Sequence, residues 1–581
     1  MKTVFSYLAA YKGRISVGLL LKTGGTVAEL LLPLIMAHMI DDIAPQGNIP
    51  ILSLWGVGML LCAVAALVGN VAANRMASRV ARDTTERLRK DLFSKSLNLS
   101  ARQIDEVTLP SLVSRLSSDT YNVHNMVGMM QRLGVRAPIL LIGGVALTFT
   151  VDPVLALVLL VSVPFLTLIV FFVSKKGIGL YTKLQRSVDG MVRKVRDDHA
   201  GIRVIKALSK SEYESASFRK INDAVVENET KAGVMMGVTN PLMNVVLNLG
   251  MTAVLFAGAY RVAAGRAMVG ELIAFTSFFT IILNAVISVS RIFVNFSKGG
   301  ASAKRIGAIL RMPEDLLPVP AEGGACGDGY IRFENVCFSY GEVPALENIS
   351  FSVDKGQSLG IIGATGSGKS TLISLLMRFY DPDSGTITIA GKDVRSYEHR
   401  DLCQKFGAVF QSDFLMAASV RDNIDFEREL PQEQIERAAE FAQADEFIAG
   451  HGGYGALLTA RGANFSGGQK QRLLIARALA SSPEILVLDD SSSALDYRTD
   501  AELRKTLLKN LPNSTVILIA QRISSVRFAD RILVLENGKV AGFGSDEELM
   551  QTCETYRRIY ASQHEEEILP QAEGGDFFAD Q

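Results

Sequence analysis

Two scarcities, of cysteine and of net charge, limit what this chain can be. Its 581 residues include five cysteines, far apart at positions 62, 326, 337, 403 and 553, and no pair has C-x-x-C spacing. That spacing argues against a disulfide framework or a zinc site and favours isolated thiols. Basic and acidic residues number 60 each, which argues against a nucleic-acid partner held by bulk charge.

The first residues do not have the pattern that predicts a cleavable signal peptide. Residues 1–14 are basic, aromatic and amphipathic, and they lack the short apolar core of such a peptide. Their pattern predicts an interfacial helix ahead of a first membrane span.

Long apolar runs fill the first half of the chain. Six are long enough to cross a bilayer, which needs about 20 residues. They lie near 15–40, 51–73, 133–151, 153–173, 240–262 and 270–294. The alternative is six buried helices of a soluble protein. Connections 74–132 and 174–239 are rich in Lys and Arg, whereas 41–50 has neither. The positive-inside rule therefore predicts that the long connections and both chain ends are cytoplasmic.

The two long connections have a helical pattern. Helices that continue for roughly 25 residues beyond the membrane would carry them about 37 Å into the cytoplasm. Short crossing segments are predicted at their tips, near 109–119 and 198–209.

Several polar residues interrupt the apolar runs. Such residues are unfavourable in a bilayer and are therefore candidates for a substrate cavity. Glu29 lies in the middle of the first run. The others form stripes at helical spacing on the fifth and sixth runs: Asn240, Asn244, Asn248, Asn284, Ser288, Arg291 and Asn295. The alternative is that they form interhelical hydrogen bonds that only hold the bundle together.

A glycine-rich stretch in the second half matches the phosphate-binding P-loop pattern. It follows the apolar run 358–362, a predicted strand, and precedes 372–378, a predicted helix. The loop consists of Gly363, Ala364, Thr365, Gly366, Ser367, Gly368, Lys369, Ser370 and Thr371. Its glycines let backbone N–H groups turn toward phosphate oxygens. Lys369 is predicted to contact the phosphates and Ser370 to bind Mg²⁺. The alternative is a chance Gly/Ser-rich turn.

Further segments downstream add to this site. Gln411 ends an apolar run and is placed to contact the metal or the attacking water. A predicted helix through Ala480 begins with a segment suited to a γ-phosphate. That segment consists of Ser466, Gly467, Gly468 and Gln469. The apolar run 485–488 ends at Asp489, which is predicted to organise the metal.

The order of these motifs resembles the ATP-binding cassette (ABC) proteins, because Ser-Gly-Gly-Gln between a P-loop and a strand ending in Asp is their signature. A six-span domain ahead of one cassette is similar to a half-transporter of the ABC exporter family, across essentially the whole chain. The resemblance implies a multi-domain fold: an α-helical six-span transmembrane domain, then an α/β RecA-like cassette with a helical subdomain. The implied boundaries are 1–14 for the interfacial helix, 15–312 for the transmembrane domain, 313–329 for a linker, 330–563 for the cassette and 564–581 for an acidic tail.

The resemblance also implies cofactors, partners and residue roles. ATP and Mg²⁺ would be the cofactors, a second half-transporter the partner, and the bacterial cytoplasmic membrane the location. Two cassettes would close head to tail, so that residues 466–469 act on the ATP of the partner. Tyr340 would stack on adenine, Gln411 would be the Q-loop residue, and Asp496 would cross to the partner as the D-loop residue.

Two departures from the family pattern fall on one ATP site. The family usually has Glu as general base after the metal-organising Asp, and this chain has Asp490. It usually has His in the switch segment, and this chain has Gln521. Asp is one methylene shorter than Glu, so its carboxylate would lie more than about 1 Å farther from the attacking water. A general base must lie within about 2.6–3.2 Å of the group whose proton it takes. Gln cannot act as a charged imidazole.

These departures lead to a hypothesis. A homodimer would carry the weakened base in both sites, whereas a heterodimer would carry it in one. The chain then resembles the degenerate-site subunit of bacterial heterodimeric multidrug exporters, with a lipophilic cargo. The alternatives are a homodimeric exporter or lipid flippase with slow ATPase, and an ATP-gated channel or regulator. An importer is disfavoured by the fused domains, and the sequence does not identify the cargo.

Overall fold

The computed structural model describes residues 2–320, 329–491 and 495–568. The chain divides into two units. One contains Met1–Asn98 and Thr108–Met312, and the other contains Leu99–Val107 and Pro313–Gln581.

The first unit is built from long helices. They are α1 (Lys2–Ala9), α2 (Lys12–His38), α3 (Ile49–Leu97), α5 (Leu109–Ser114), α6 (Thr120–Val151), α7 (Pro153–Ala200), α8 (Ile202–Ala207), α9 (Ser211–Gly237), α10 (Thr239–Ala263) and α11 (Val269–Leu310), while α4 (Ala101–Val107) belongs to the second unit. Within the described residues, five helical stretches are long and apolar enough to cross a membrane. The fourth predicted span, 153–173, lies in α7, which contains side chains outside the description.

The turn between the third and fourth spans is confirmed at Asp152. This residue is extended, with φ −150°, and its carboxylate accepts from the N–H groups of Val154 at 2.8 Å and Leu155 at 3.2 Å. Those bonds cap α7, whose first residue is Pro153. Arg261 of α10 pairs with the second carboxylate oxygen at 2.7 Å. A buried carboxylate thus ends one helix, begins the next and joins a third.

The first long connection contains a short helix ahead of the predicted crossing segment. The chain breaks at Asn98 and forms α4 over Ala101–Val107. Ser100 begins this helix, because its Oγ accepts from the Gln103 N–H at 3.2 Å. Residues 109–119, the predicted segment, form α5 and a wide helical turn that leads into α6. The second predicted segment, 198–209, is confirmed by α8.

The second unit is an α/β domain. Its strands are β1 (Ile331–Tyr340), β2 (Val343–Val353), β3 (Ser358–Gly363), β4 (Ser384–Ile389), β5 (Lys392–Asp393), β6 (Phe406–Val409), β7 (Ile485–Asp489), β8 (Thr515–Ile519), β9 (Arg531–Glu536) and β10 (Lys539–Gly544). One sheet has the order β2-β1-β4-β5, and the other has the order β10-β9-β3-β8-β7-β6. Strands β9, β3, β8, β7 and β6 are parallel, so their carboxyl ends meet at one edge.

Helices surround these sheets. They are α12 (Lys369–Leu376), α13 (His399–Gln404), α14 (Val420–Asp425), α15 (Gln432–Phe441), α16 (Asp445–Gly450), α17 (Gly467–Leu479), α18 (Tyr497–Asn510), α19 (Ile523–Val526), α20 (Asp546–Thr552) and α21 (Glu554–Ile568). The core around β3 and α12 is separate from the one that holds α14, α15 and α17. This second core joins those helices to one face of the larger sheet, because it also contains Val409 of β6, Leu486 of β7 and Val516 of β8. Helix α21 continues into the predicted tail as far as Ile568, and the rest of the tail lies outside the described residues.

Candidate functional site

The P-loop joins β3 to α12 and is tightly constrained by its surroundings. All six residues of β3 are buried. A Cβ on Gly363 would lie 2.2 Å from the carbonyl oxygen of Leu535 on β9, so this position has no room for a side chain. Gly366 and Gly368 have φ values of +81° and +99°, which glycine adopts without strain. The sequence therefore curls here, as a phosphate-binding loop requires.

Lys369, the lysine of this loop, forms hydrogen bonds to the loop backbone. The Lys369 ammonium donates to the carbonyl oxygens of Gly363 at 2.8 Å and Ala364 at 2.9 Å. Burial lowers its pKa, against the opposing effect of Asp489 and Asp490. The side chain is held at the loop by weak neutral acceptors, which a phosphate can replace.

The metal side of the site combines Ser370 and Asp489. The Ser370 hydroxyl donates to the Asp489 carboxylate at 2.9 Å. Burial raises the pKa of Asp489, and the bond from Ser370 partly offsets this. Hydroxyl and carboxylate oxygens are the ligands that Mg²⁺ prefers. The buried Ser367 hydroxyl has no hydrogen-bond partner in the described structure. This donor set fits ATP with Mg²⁺: the loop and Lys369 would hold the phosphates, and Ser370 with Asp489 would hold the ion, which neutralises phosphate charge.

The two unusual residues lie at the ends of neighbouring strands. Asp489, the last residue of β7, pairs with Ile519, the last residue of β8. Asp490 follows directly, with φ +49° and an N–H bond to the Ile519 carbonyl at 2.9 Å. Burial raises the pKa of Asp490, opposed by Lys369 and Arg522. Gln521 lies two residues after Ile519. Both residues therefore lie at the edge where the P-loop begins.

Gln411 belongs to the same edge. It follows β6, which pairs with β7, and its side chain is exposed. The carboxyl ends of four parallel strands thus supply the P-loop, the switch residue, the two aspartates and Gln411. Ligands of open parallel α/β sheets bind at this edge.

The signature residues occupy a different helix. Ser466 begins α17 through a capping box: its Oγ accepts from the Gln469 N–H at 3.3 Å, and its own N–H donates to Gln469 Oε1 at 2.9 Å. Gly467, which is exposed, and Gly468, which is half-buried, form the first turn of this helix. Asp496 caps α18 through the N–H and hydroxyl of Thr499, and these bonds lower its pKa. Residues 493 and 494 of the predicted D-loop lie outside the described residues.

Tyr340 lies at the end of β1 in an aromatic group. Its ring, 43% exposed, meets the rings of Phe338 at 4.9 Å and Tyr380 at 5.4 Å edge-on. The Tyr380 hydroxyl donates to Asp105 of α4 at 2.6 Å. These residues line a cavity of about 440 Å³. Sequence reasoning missed Tyr380 and Asp105, because their separation of 275 positions leaves no local signal.

The polar residues of the membrane helices are only partly brought together. The amides of Asn248, Asn284 and Asn295 each donate to the carbonyl four residues earlier in their own helix. These bonds lie within one helix, whereas the alternative of a purely structural role requires bonds between helices. Glu29 instead pairs with Arg136 of α6, in two bonds of 2.5 and 3.2 Å. Arg136 lies 107 positions from Glu29, so no local signal in the sequence indicates this partner.

One small cavity joins part of this set. It measures about 100 Å³ and is lined by Glu29, Arg136, Asn284, Ser288, Leu133, Ala137, Leu140, Ile281 and Ala285. Asn244, Asn248, Arg291 and Asn295 are not among its lining residues, and the side chain of Asn240 lies outside the description. The structure thus unites the first, third and sixth predicted spans around one ion pair.

Comparison with known proteins matches both units. The family model for the ABC transporter transmembrane region matches residues 15–286, and that for the ABC transporter cassette matches residues 346–493. The ABC transporter ATP-binding protein YfiB of Bacillus subtilis is 34% identical over 97% of this chain and 98% of its own. A Mycobacterium tuberculosis ABC transporter ATP-binding protein is 32% identical over 96% and 97%. A bacterial Atm1-family ABC exporter with ATP bound has a similar fold, with a TM-score of 0.80, 24% identity and coverage of 95% of this chain and 99% of that one.

Proposed function

Because this chain belongs to the ABC transporter family, as an exporter half-transporter with its membrane domain and cassette on one polypeptide, we propose that it is the slow-site subunit of a heterodimeric exporter of lipophilic compounds. The observation that carries this proposal is Asp490 at the position of the general base. ATP and Mg²⁺ bind the P-loop edge, and hydrolysis there is slow.

The shape of the strand end supports this role. The Asp490 N–H donates to the Ile519 carbonyl at 2.9 Å and holds the backbone in place. The strand end therefore does not move toward the nucleotide to make up for a side chain shorter than that of Glu. Burial raises the pKa of Asp490, and the positive charges of Lys369 and Arg522 oppose this effect. Gln521 offers an amide where an imidazolium would stabilise the γ-phosphate. Both changes weaken the same chemical step.

The signature helix retains what a partner would need. Ser466 and Gln469 form an intact capping box, and the glycines leave the helix N-terminus exposed. An exposed helix N-terminus is a ready site for phosphate. The chain would therefore complete a fast site on a partner that contributes its own P-loop and base. In a homodimer, by contrast, both sites would be slow.

The membrane helices favour a lipophilic cargo. Five described stretches have the length and apolar character of spans. Exposed apolar side chains on them include Leu20, Leu60 and Phe256. Compounds that partition into the bilayer can reach such surfaces without passing through water.

Co-purification tests the proposal. The tagged chain is purified from its native membrane, and mass spectrometry identifies what accompanies it. We expect a second ABC half-transporter with Glu at the base position, and an ATPase rate at least about tenfold above that of the chain alone. Inside-out vesicles containing both chains should accumulate a lipophilic dye only with ATP, which a channel cannot do. A self-paired chain with full activity would refute the heterodimer.

A further inference from the structure

The membrane unit carries more positive than negative charge around its small cavity. Glu29 is the one carboxylate among the residues that line it, and Arg136 binds it. Lys22 lies within electrostatic range of Glu29, Arg132 and Arg136. Arg136 is the cation among the described lining residues, and Lys22 and Arg132 add two positive charges outside that lining.

The remaining cations have only neutral partners among the contacts that the structure describes. Lys22 is 3% exposed, and its ammonium donates to the side-chain oxygens of Asn70 at 2.8 Å and Asn74 at 3.1 Å. Arg132 donates to the carbonyl oxygen of Gly128 at 3.1 Å. Amide and carbonyl dipoles stabilise a buried charge less than a counter-ion does. The cluster is thus short of negative charge.

Lys22, Glu29 and Arg136 lie within the predicted first and third spans, and Arg132 directly precedes the third. At 1.5 Å per residue, the 16 residues from Lys22 to His38 in α2 span about 24 Å, and the 15 residues from Arg136 to Val151 in α6 span about 22 Å. Helix α2 continues as a wide helical turn over Met39–Ile43 toward the predicted outer loop, and α6 ends at the turn of Asp152. Measured this way, Lys22 and Arg136 lie in the cytoplasmic half of a hydrocarbon core of about 30 Å, where uncompensated charge is unfavourable and marks functional sites.

We propose that this cavity selects anionic amphiphiles, so that an acidic headgroup lies beside Arg136 and an apolar tail follows Leu133, Leu140 and Ile281. This inference names the cargo class and rests on the proposed export function. The headgroup would supply the missing negative charge, while the apolar lining accepts the tail. A cationic amphiphile would add a fourth positive charge to the cluster and would be rejected.

The two members of the ion pair give opposite predictions. The complex is reconstituted in phosphatidylcholine nanodiscs, and ATPase stimulation is measured with the anionic dye 1-anilinonaphthalene-8-sulfonate and the cationic dye rhodamine 6G. The anion should stimulate at the lower concentration. Arg136→Gln should raise its half-stimulating concentration by about tenfold or more. Glu29→Gln should lower it, because Arg136 is then free to bind the anion.

A matched control and two further measurements complete the test. Arg79→Gln removes one exposed charge of α3 outside the cavity and should change neither dye. Nanodiscs of phosphatidylglycerol should raise basal ATPase if the anion is a lipid headgroup, and leave it unchanged if the cargo is a free amphiphile. A preference for the cation, or equal shifts from both variants, would overturn charge selection. Absence of ATP-driven accumulation of either dye would instead overturn export itself.

A second inference comes from the cassette, where the carboxyl-terminal helix holds the switch segment. The Gln563 side chain on α21 donates from Nε2 to the Gln521 carbonyl at 2.8 Å and accepts at Oε1 from the Ile523 N–H at 2.8 Å. One amide thus holds the backbone on both sides of Arg522. We infer that Gln563 is a positioning residue for the switch.

The anchoring of α21 makes this contact effective. Tyr556 on the same helix is fully buried, and its hydroxyl donates to Asp546 at 2.6 Å. A second contact lies farther along: Arg504 of α18 donates to the Ser524 carbonyl at 2.7 Å. The Gln521 backbone is therefore fixed from the helix behind it, while its side chain is exposed at the nucleotide edge.

Hydrogen exchange tests this role in the full-length chain in detergent. Gln563→Leu should accelerate exchange of the Ile523 amide by about fivefold, as expected for one lost hydrogen bond. It should also raise the rate at which bound ATP dissociates. Gln563→Glu keeps the acceptor for Ile523 and should preserve its protection. Ser562→Ala, which loses only a bond to its own helix, is the control. Unchanged Ile523 exchange in Gln563→Leu would overturn the inference.

Discussion

Lengthening Asp490 by one methylene is the most direct test of the slow site. Asp490→Glu adds one C–C bond of about 1.5 Å, and the backbone cannot move to cancel it, because the N–H bond to Ile519 holds the strand end. The carboxylate should then reach the distance of about 2.6–3.2 Å from the attacking water that proton transfer requires.

The size of the gain follows from the value of a general base. Such a base raises the rate of the chemical step by about 10²–10⁴-fold. Since Gln521 still lacks the charge of an imidazolium, we expect the lower end, about 10²-fold, which corresponds to about 2.7 kcal/mol of barrier. Adding Gln521→His to Asp490→Glu should raise the rate further.

The assay is single-turnover hydrolysis of ATP trapped at this site. Asp354→Glu makes the same chemical change in an exposed turn and should have no effect. Asp490→Asn should lower the residual rate if the native carboxylate acts as a weak base. If Asp490→Glu changes turnover less than about twofold with ATP binding intact, the short side chain is not the cause of slow hydrolysis.

Three further predictions concern the same cassette. Tyr340→Ala should raise the Kd for ATP about tenfold through lost stacking, whereas Tyr340→Phe should not, as fluorescence titration with a labelled nucleotide can show. Asp489→Asn should raise the thermal midpoint of the metal-free chain, because burial disfavours the charge of Asp489 and raises its pKa. The same variant should lose Mg²⁺-dependent ATP binding. A lower thermal midpoint, with the bond from Ser370 retained, would contradict this prediction. Gly363→Ala should destabilise the cassette by about 1–3 kcal/mol, since its Cβ would lie 2.2 Å from Leu535 oxygen, and an unchanged denaturant midpoint would refute the steric argument.

The elements of the cassette were predictable because their signals are local. Strands β3 and β7 are continuous apolar runs that end at the P-loop and at Asp489, and parallel strands buried on both faces have that pattern. The helix from Ser466 was predictable from the cap residue followed by Gln469. The membrane spans were also predictable, because backbone in lipid must be helical over about 20 residues.

The position of α4 was not predictable in the same way. Its residues have the same helical pattern as their neighbours, and its boundary depends on contacts with distant residues. Ser100 donates to Asp315 at 2.6 Å, and Gln103 donates to the Pro313 carbonyl at 2.8 Å. Those partners lie more than 200 positions away, so the pattern of residues 101–119 alone does not indicate α4.

The sequence by itself determined which chemistry is possible here: phosphate binding at the P-loop, a shortened base at Asp490 and helices long enough to cross a bilayer. Only the tertiary structure decided which distant residues meet. The pairing of Glu29 with Arg136, 107 positions apart, and of Gln563 with the switch, 42 apart from Gln521, appears only in space. The physical reason is that motifs depend on backbone spacing along the chain, whereas charge pairing and side-chain hydrogen bonds depend on how helices pack.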